Sequence, residues 1–287
     1  MRIARRINAP LCVDHRSKKW VRVLLLEAFW FSQWCSIRFS SKSMSQKIAQ
    51  RTHKYDVDKM AHHSRAIKLI INEFTEGFKL MSTIGGPAVT VFGGTHTALG
   101  DHYYLDAELL GRELAKAGFA VVTGGGPGIM EAANKGAYRA GGVSVGVNIR
   151  VLQQRPNQFQ TISLSFDHFY VRKVMLAKYS TGFVVFPGGF GTLDEFAEIL
   201  TLVQSQKLHP LPIYIVGSQY WSGLLEWFKD TLVKGGAIPG DDLKLFKVVD
   251  DIMSIPRDIA QYYNFTHHAG FKVPKERDRR LAAGTRR

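Results

Sequence analysis

Between residues 88 and 263 short apolar runs alternate with longer stretches of helical period, and this alternation leaves the chain few ways to fold. Runs at 88–92, 120–123, 144–149, 162–166, 183–186, 212–216 and 245–249 read as strands, the first of them buried. Stretches at 105–117, 129–140, 169–179, 193–207, 221–234 and 252–263 read as helices, and 150–160 as a polar loop. A strand followed by a helix of such length returns parallel to itself, with the helix packed on the sheet. The expected fold class is therefore α/β: a Rossmann-like, doubly wound parallel sheet with helices on both faces. In such sheets ligands bind outside the carboxyl ends of the strands. Two clusters of glycine fall at such ends.

Ahead of the alternation a helical stretch runs over 56–80, with Met60, Ile67, Ile70, Ile71, Phe74 and Phe78 at three- and four-residue steps. Gly85-Gly86-Pro87 then breaks the chain. We divide the sequence into a basic N-terminal extension (1–43), an N-terminal helical segment (44–84), a Rossmann-like domain (85–265) and a basic C-terminal tail (266–287). The formal charge of +14 sits at the ends: residues 1–43 carry a net +7 and 271–287 a net +5, which leaves the centre near neutral. Such ends can touch RNA or anionic lipid. No nucleic-acid motif accompanies them, so nucleic-acid binding is disfavoured as the main function. The apolar stretch 21–31 contains Arg22 and Glu27 and is too short to span a bilayer. Residues 1–43 read as an upstream extension of the frame with Met44 as working start, or as a poor transit peptide. Both cysteines, Cys12 and Cys35, lie in that extension, so the centre has no disulfide, thiolate nucleophile or Cys-type zinc site. A cytoplasmic location is expected. His62-His63 and His267-His268 are adjacent pairs rather than metal-ligand spacings.

Three elements carry chemistry. Gly124-Gly125-Gly126-Pro127-Gly128 joins a strand to a helix, where close backbone approach and free N–H groups suit an anion. It fits neither the dinucleotide nor the P-loop pattern, and it could equally be a tight turn with no ligand. Arg172-Lys173 opens a helix; neighbours on a helix diverge by about 100°, so only one of the two can face a ligand. An exposed basic pair is the plain alternative. Pro187-Gly188-Gly189-Phe190-Gly191-Thr192-Leu193-Asp194-Glu195 again delivers a strand onto a helix start. Its N–H groups and the Thr192 hydroxyl could cradle phosphate. Thr192-x-x-Glu195 also reads as a capping box, which would confine Glu195 to helix stability.

Taken in order, Gly124-Gly125-Gly126-Pro127-Gly128-Ile129-Met130-Glu131, Arg172-Lys173-x-Met175 and Pro187-Gly188-Gly189-x-Gly191-Thr192-x-x-Glu195 resemble the LOG family over about residues 85–265. Its plant members are cytokinin riboside 5′-monophosphate phosphoribohydrolases, and its bacterial relatives long carried the label lysine decarboxylase. The resemblance implies cleavage of the N-glycosidic bond of a nucleoside 5′-monophosphate, of the AMP or cytokinin riboside type, to free base and ribose 5-phosphate. It implies catalysis by Arg172 and Glu195. It implies substrate and phosphate binding by Gly125, Gly126, Gly128, Met130, Glu131, Lys173, Gly188, Gly189, Gly191 and Thr192. It also implies a homodimer or larger homo-oligomer, with no metal and no organic cofactor. No motif here marks a pyridoxal-phosphate lysine. One turn departs from the family: Gly93-Gly94-Thr95-His96-Thr97 has no Arg where relatives often carry Gly-Ser-Ala/Ser-Arg. The alternative reading is a nucleotide sensor on the same scaffold that binds without cleaving.

Overall fold

In the computed structural model the alternation closes into one seven-stranded parallel sheet of order β4-β3-β2-β1-β5-β6-β7. The structure describes residues 63–151 and 155–267. The extension expected at 1–43, the start at Met44, the helical residues 56–62 and the tail from 268 onward lie outside the described residues. The strands are β1 (Ala88–Phe92), β2 (Ala120–Thr123), β3 (Ser144–Ile149), β4 (Ile162–Phe166), β5 (Ser180–Val185), β6 (Ile213–Val216) and β7 (Lys247–Val249). The helices are α1 (His63–Met81), α2 (His102–Lys116), α3 (Ile129–Arg139), α4 (Phe169–Lys178), α5 (Phe190–Gln204), α6 (Ser218–Trp227) and α7 (Ser254–His267).

The chain lays β1 to β4 outward in one direction, then returns to place β5 on the other side of β1. That reversal opens a crevice between the carboxyl ends of β1 and β5, where α/β sheets bind ligands. β1, β2, β3 and β6 are buried at every residue, whereas the edge strands β4 and β7 are partly exposed. Strands covered on both faces read as continuous apolar runs, and edge strands do not. Alternate residues serve two cores. Phe92, Val122, Phe183 and Val185 pack with Met175, Phe196 and Trp221 on one face. Val89, Val91, Val121, Val184 and Phe186 pack with Leu110, Ile129 and Ile259 on the other. Ile70, Phe74 and Phe78 of α1 join the first core, which accounts for the periodicity of that segment.

Several boundaries differ from the expected ones for local reasons. α2 starts at His102 rather than 105 because the Asp101 carboxylate accepts the N–H of Tyr103 at 2.8 Å and caps the helix. β5 starts at Ser180 rather than 183: Ser180 pairs with Ala88 and the Thr181 hydroxyl donates to Ala88 O at 2.9 Å, so polar side chains mask the first strand residues. The stretch expected as one helix over 221–234 is α6 from Ser218 to Trp227 followed by a π-helical turn at Phe228–Val233. Trp221 is fully packed against Phe196, and its Nε1–H donates to Val216 O at 3.0 Å. No helix among the described residues is long and apolar enough to cross a membrane.

Candidate active site

Two strand-end turns meet at the crevice. After β1, Gly94 donates its N–H to Pro187 O at 2.9 Å; after β5, Phe186 donates to Phe92 O at 2.8 Å. These bonds zip the Gly93–Thr97 turn to the Pro187–Gly191 turn. Together they floor a cleft of about 750 Å³ walled by Gly124, Met130, Phe169, Arg172, Thr192, Glu195, Tyr103 and Tyr220.

Helix α5 begins at Phe190 with Gly189 before it, three residues earlier than the sequence suggested. Gly189 O accepts the first helical N–H bonds, from Thr192 at 3.0 Å and Leu193 at 3.1 Å. The Phe190 and Gly191 N–H groups precede those bonds and have no partner inside the helix, so they present the positive helix end to the cleft. Thr192 therefore lies in the first turn and Glu195 in the second, and the capping box does not form. Gly188 is glycine of necessity: a Cβ there would stand 2.1 Å from Thr192 Oγ1 and 2.7 Å from Gly94 N. The Tyr220 hydroxyl donates to Gly188 O at 2.8 Å and steadies the turn from α6.

Glu195 sits on the buried side of α5, 8% exposed, and no hydrogen bond or ion pair joins its carboxylate to another of the described residues. Its small open area faces the cleft. Burial pushes its pKa up to about 7; Arg172 and Lys173 pull it down, and Glu198 and Asp194 push it up further. A carboxyl so poised can hold or release a proton near neutral pH. Arg172 enters from α4. Its Nε–H donates to Val147 O at 2.9 Å, and its guanidinium lies against Gly124, where a Cβ would come within 2.2 Å of Nη2. Burial lowers the Arg172 pKa, opposed by Glu195 and Asp194. No ion pair within 4.0 Å joins Arg172 to Glu195 among the described residues, so the two face the cleft as separate charges.

Gly188, Gly189, Gly191, Thr192, Glu195, Arg172 and Met130 thus come together around one cleft. The remaining residues singled out in the sequence stand elsewhere. Gly125 and Gly126 turn their carbonyls to Asn157 Nδ2 at 3.0 and 3.1 Å, and Gly125 O also accepts from Gln160 Nε2 at 2.9 Å. Gly128 precedes α3, whose first N–H, on Ile129, donates to Gly94 O at 3.0 Å instead of to open space. Of the first glycine cluster, Gly124 is the member that reaches the cleft. Glu131 accepts from the Tyr104 hydroxyl at 3.1 Å and joins α3 to α2. Lys173 bridges to Asp194 at 2.9 Å and Glu198 at 3.1 Å, tying α4 to α5 behind the cleft. As their divergence on the helix required, Arg172 faces the cleft and Lys173 does not.

The sequence reading passed over Gly124, Tyr103, Tyr220 and Phe169 as site residues. Gly124 carried a signal, its place in the cluster, but which of the glycines faces a ligand depends on Arg172 crossing from α4. The aromatic residues carried none. Burial, then Asp250 and Asp101, raise the Tyr103 pKa, so it faces the cleft as a neutral phenol. Among the described residues no group of three or more His, Cys, Asp or Glu side chains could hold a metal ion.

The family whose model matches residues 130–259 is described as "Possible lysine decarboxylase". A cytokinin riboside 5′-monophosphate phosphoribohydrolase from Rhodococcoides fascians is 30% identical over 164 residues, covering 53% of this chain and 79% of that protein. An enzyme of the same description from Arabidopsis thaliana is 30% identical over 154 residues, covering 52% of this chain and 71% of that one. Among solved structures, the molybdenum cofactor binding protein of Rippkaea orientalis is 21% identical and superposes with a TM-score of 0.47, covering 61% of this chain and 96% of that one. That last likeness is too distant to bear on function.

Proposed function

Because the chain belongs to the LOG family of cytokinin riboside 5′-monophosphate phosphoribohydrolases, we propose that it hydrolyses the N-glycosidic bond of a nucleoside 5′-monophosphate, of the AMP or cytokinin riboside type. The products are the free base and ribose 5-phosphate. The observation that supports this reading most is the Glu195 carboxyl, buried and without a hydrogen-bond partner among the described residues, opening on a cleft that also holds Arg172 and a helix N-terminus with no side-chain cap.

In this mechanism the phosphate rests on the Phe190 and Gly191 N–H groups and the Thr192 hydroxyl. Holding that end lets binding energy orient the ribose, which lowers the entropic part of the barrier. Glu195, ionised in about half the molecules near pH 7, binds the ribose hydroxyls and stabilises the oxocarbenium-like sugar. The C1′–N bond breaks with its electron pair leaving on the base, and Arg172 stabilises the negative charge that develops there. Water supplies the oxygen of the new C1′–O bond; Glu195 takes its proton and passes it to the departing base. Phosphate affinity comes from backbone donors, so the reading tolerates a Gly93–Thr97 turn without Arg. The exposed Ile67, Leu69 and Ile71 of α1 are consistent with a homo-oligomer, which light scattering would check.

A panel of nucleoside 5′-monophosphates, assayed by chromatography for released base, tests the proposal. The parent protein should release base from at least one, and folded Glu195→Gln and Arg172→Ala should each lose about a hundredfold or more in turnover. Folded variants with near-normal turnover would overturn the roles. Tight nucleotide binding without any released base would favour the sensor.

A further inference from the structure

Helix α4, which carries Arg172, begins without a cap of its own. His168, the residue before it, makes no side-chain bond to the helix, and the first turn holds no acid. A carboxylate nonetheless stands there, delivered by α1. Glu73 Oε1 accepts the Asp167 N–H at 2.8 Å, and Oε2 accepts the His168 N–H at 3.4 Å, from 94 and 95 residues away. The His168 ring adds a contact, with Nδ1 3.0 Å from Oε2. The Glu73 side chain is only 15% exposed, so water competes little for these donors. Negative charge beside a helix N-terminus is favourable in itself.

The carboxylate is held by a packed helix rather than a loop. Phe74 and Phe78 of α1 rest on the core, and Gly77 runs so close to α4 that a Cβ there would meet the Met175 side chain at 3.0 Å. α4's own buried residues, Val171, Met175, Leu176 and Ala177, anchor mainly its later turns. Helix starts fray when their N–H groups lack partners. The Arg150–Asp167 ion pair at this point is more than half exposed on both sides and holds it weakly. Arg172 closes the first hydrogen bond of the helix, its N–H donating to His168 O at 3.2 Å. Glu73 therefore grips the peptide units immediately before the turn that bears the guanidinium.

We propose that Glu73 is a positioning residue for Arg172: α1 supplies the N-terminal cap of α4 and so fixes where the guanidinium stands in the cleft. The proposal rests on the reading of Arg172 as a catalytic residue. It makes α1 part of the working enzyme although none of its described residues lines the cleft.

The test compares Glu73→Ala, Glu73→Gln, Arg172→Ala and, as a control on an exposed position of the same helix, Glu76→Ala. Steady-state kinetics would use whichever nucleoside monophosphate the parent cleaves, and hydrogen exchange by mass spectrometry would follow residues 167–172. Glu73→Ala should lower kcat by about tenfold or more, since small misplacements of a reacting group are costly. KM should change by less than about threefold, because phosphate is held by α5 through contacts that exist in ground and transition state alike. Glu73→Gln, which keeps one acceptor oxygen, should fall between, and it remains informative should the alanine variant fail to fold. Exchange should quicken at 167–172 and not in α2 or α5, and Glu76→Ala should match the parent. Normal kcat and unchanged local exchange in folded Glu73 variants, with Arg172→Ala inactive, would overturn the positioning role alone. Loss of kcat with exchange quickened throughout the fold would reduce Glu73 to a stability residue and overturn it too. An active Arg172→Ala would instead remove the catalytic reading, and this proposal with it.

Discussion

Replacing Glu195 by glutamine should stabilise the protein, and only at high pH. Burial raises the Glu195 pKa from its usual 4.5 to about 7, so between those values the folded protein keeps a proton that the unfolded chain has lost. The stability tied to this proton is fully present below pH 4.5 and disappears as pH rises through 7. At one pKa unit per 1.36 kcal/mol, the ionised carboxylate costs the fold about 3 kcal/mol above pH 8. Glutamine keeps the shape and never ionises. Urea unfolding followed by tryptophan fluorescence should therefore find Glu195→Gln about 3 kcal/mol more stable than the parent at pH 8.5, and within about 1 kcal/mol of it at pH 4. The same variant should have lost turnover, since an acid kept for catalysis is maintained at the expense of stability. An equal difference at both pH values, or a less stable variant at pH 8.5, would refute the reasoning, because the carboxyl would then ionise in the fold as easily as in water.

Lys173 holds the Glu195 pKa down from behind the cleft and neutralises Asp194 and Glu198, which push it up. Lys173→Met should therefore move the rising limb of the kcat/KM–pH profile to higher pH by about one unit; an unmoved limb would remove the coupling. Gly124→Ala places a Cβ 2.2 Å from Arg172 Nη2 and 2.8 Å from Met130 Sδ, both ends of flexible side chains. Turnover should fall about tenfold or more while urea stability changes by about 1 kcal/mol or less, as the guanidinium moves and the fold does not. Gly111→Ala meets backbone instead, with a Cβ 2.1 Å from Ala133 O between α2 and α3. It should lower unfolding free energy by about 1–3 kcal/mol with activity per folded molecule unchanged.

The order of elements was legible because the central strands are buried on both faces and each helix on one, so Ala88–Phe92 and Ile213–Val216 appear in the sequence as mostly apolar runs. Glycine turns were legible for a similar local reason: Gly188 can bear no side chain next to Thr192 Oγ1 and Gly94 N. What the sequence left open depends on neighbours far along the chain. The exit of β5 on the far side of β1, not any property of the turns themselves, brings Gly93–Gly94 rather than Gly125–Gly128 opposite the Pro187–Gly191 turn. Thr192-x-x-Glu195 satisfied a capping rule, but a helix that starts at Phe190 carries Glu195 into its second turn, where tertiary burial sets its proton affinity. Likewise Glu73 gave no sign of its role, because a carboxylate that caps a helix 94 residues away obeys no local spacing. Sequence determines what a segment can become through its own backbone and periodicity; which polar groups then share one low-dielectric cleft is decided only when the sheet assembles and excludes water from around them.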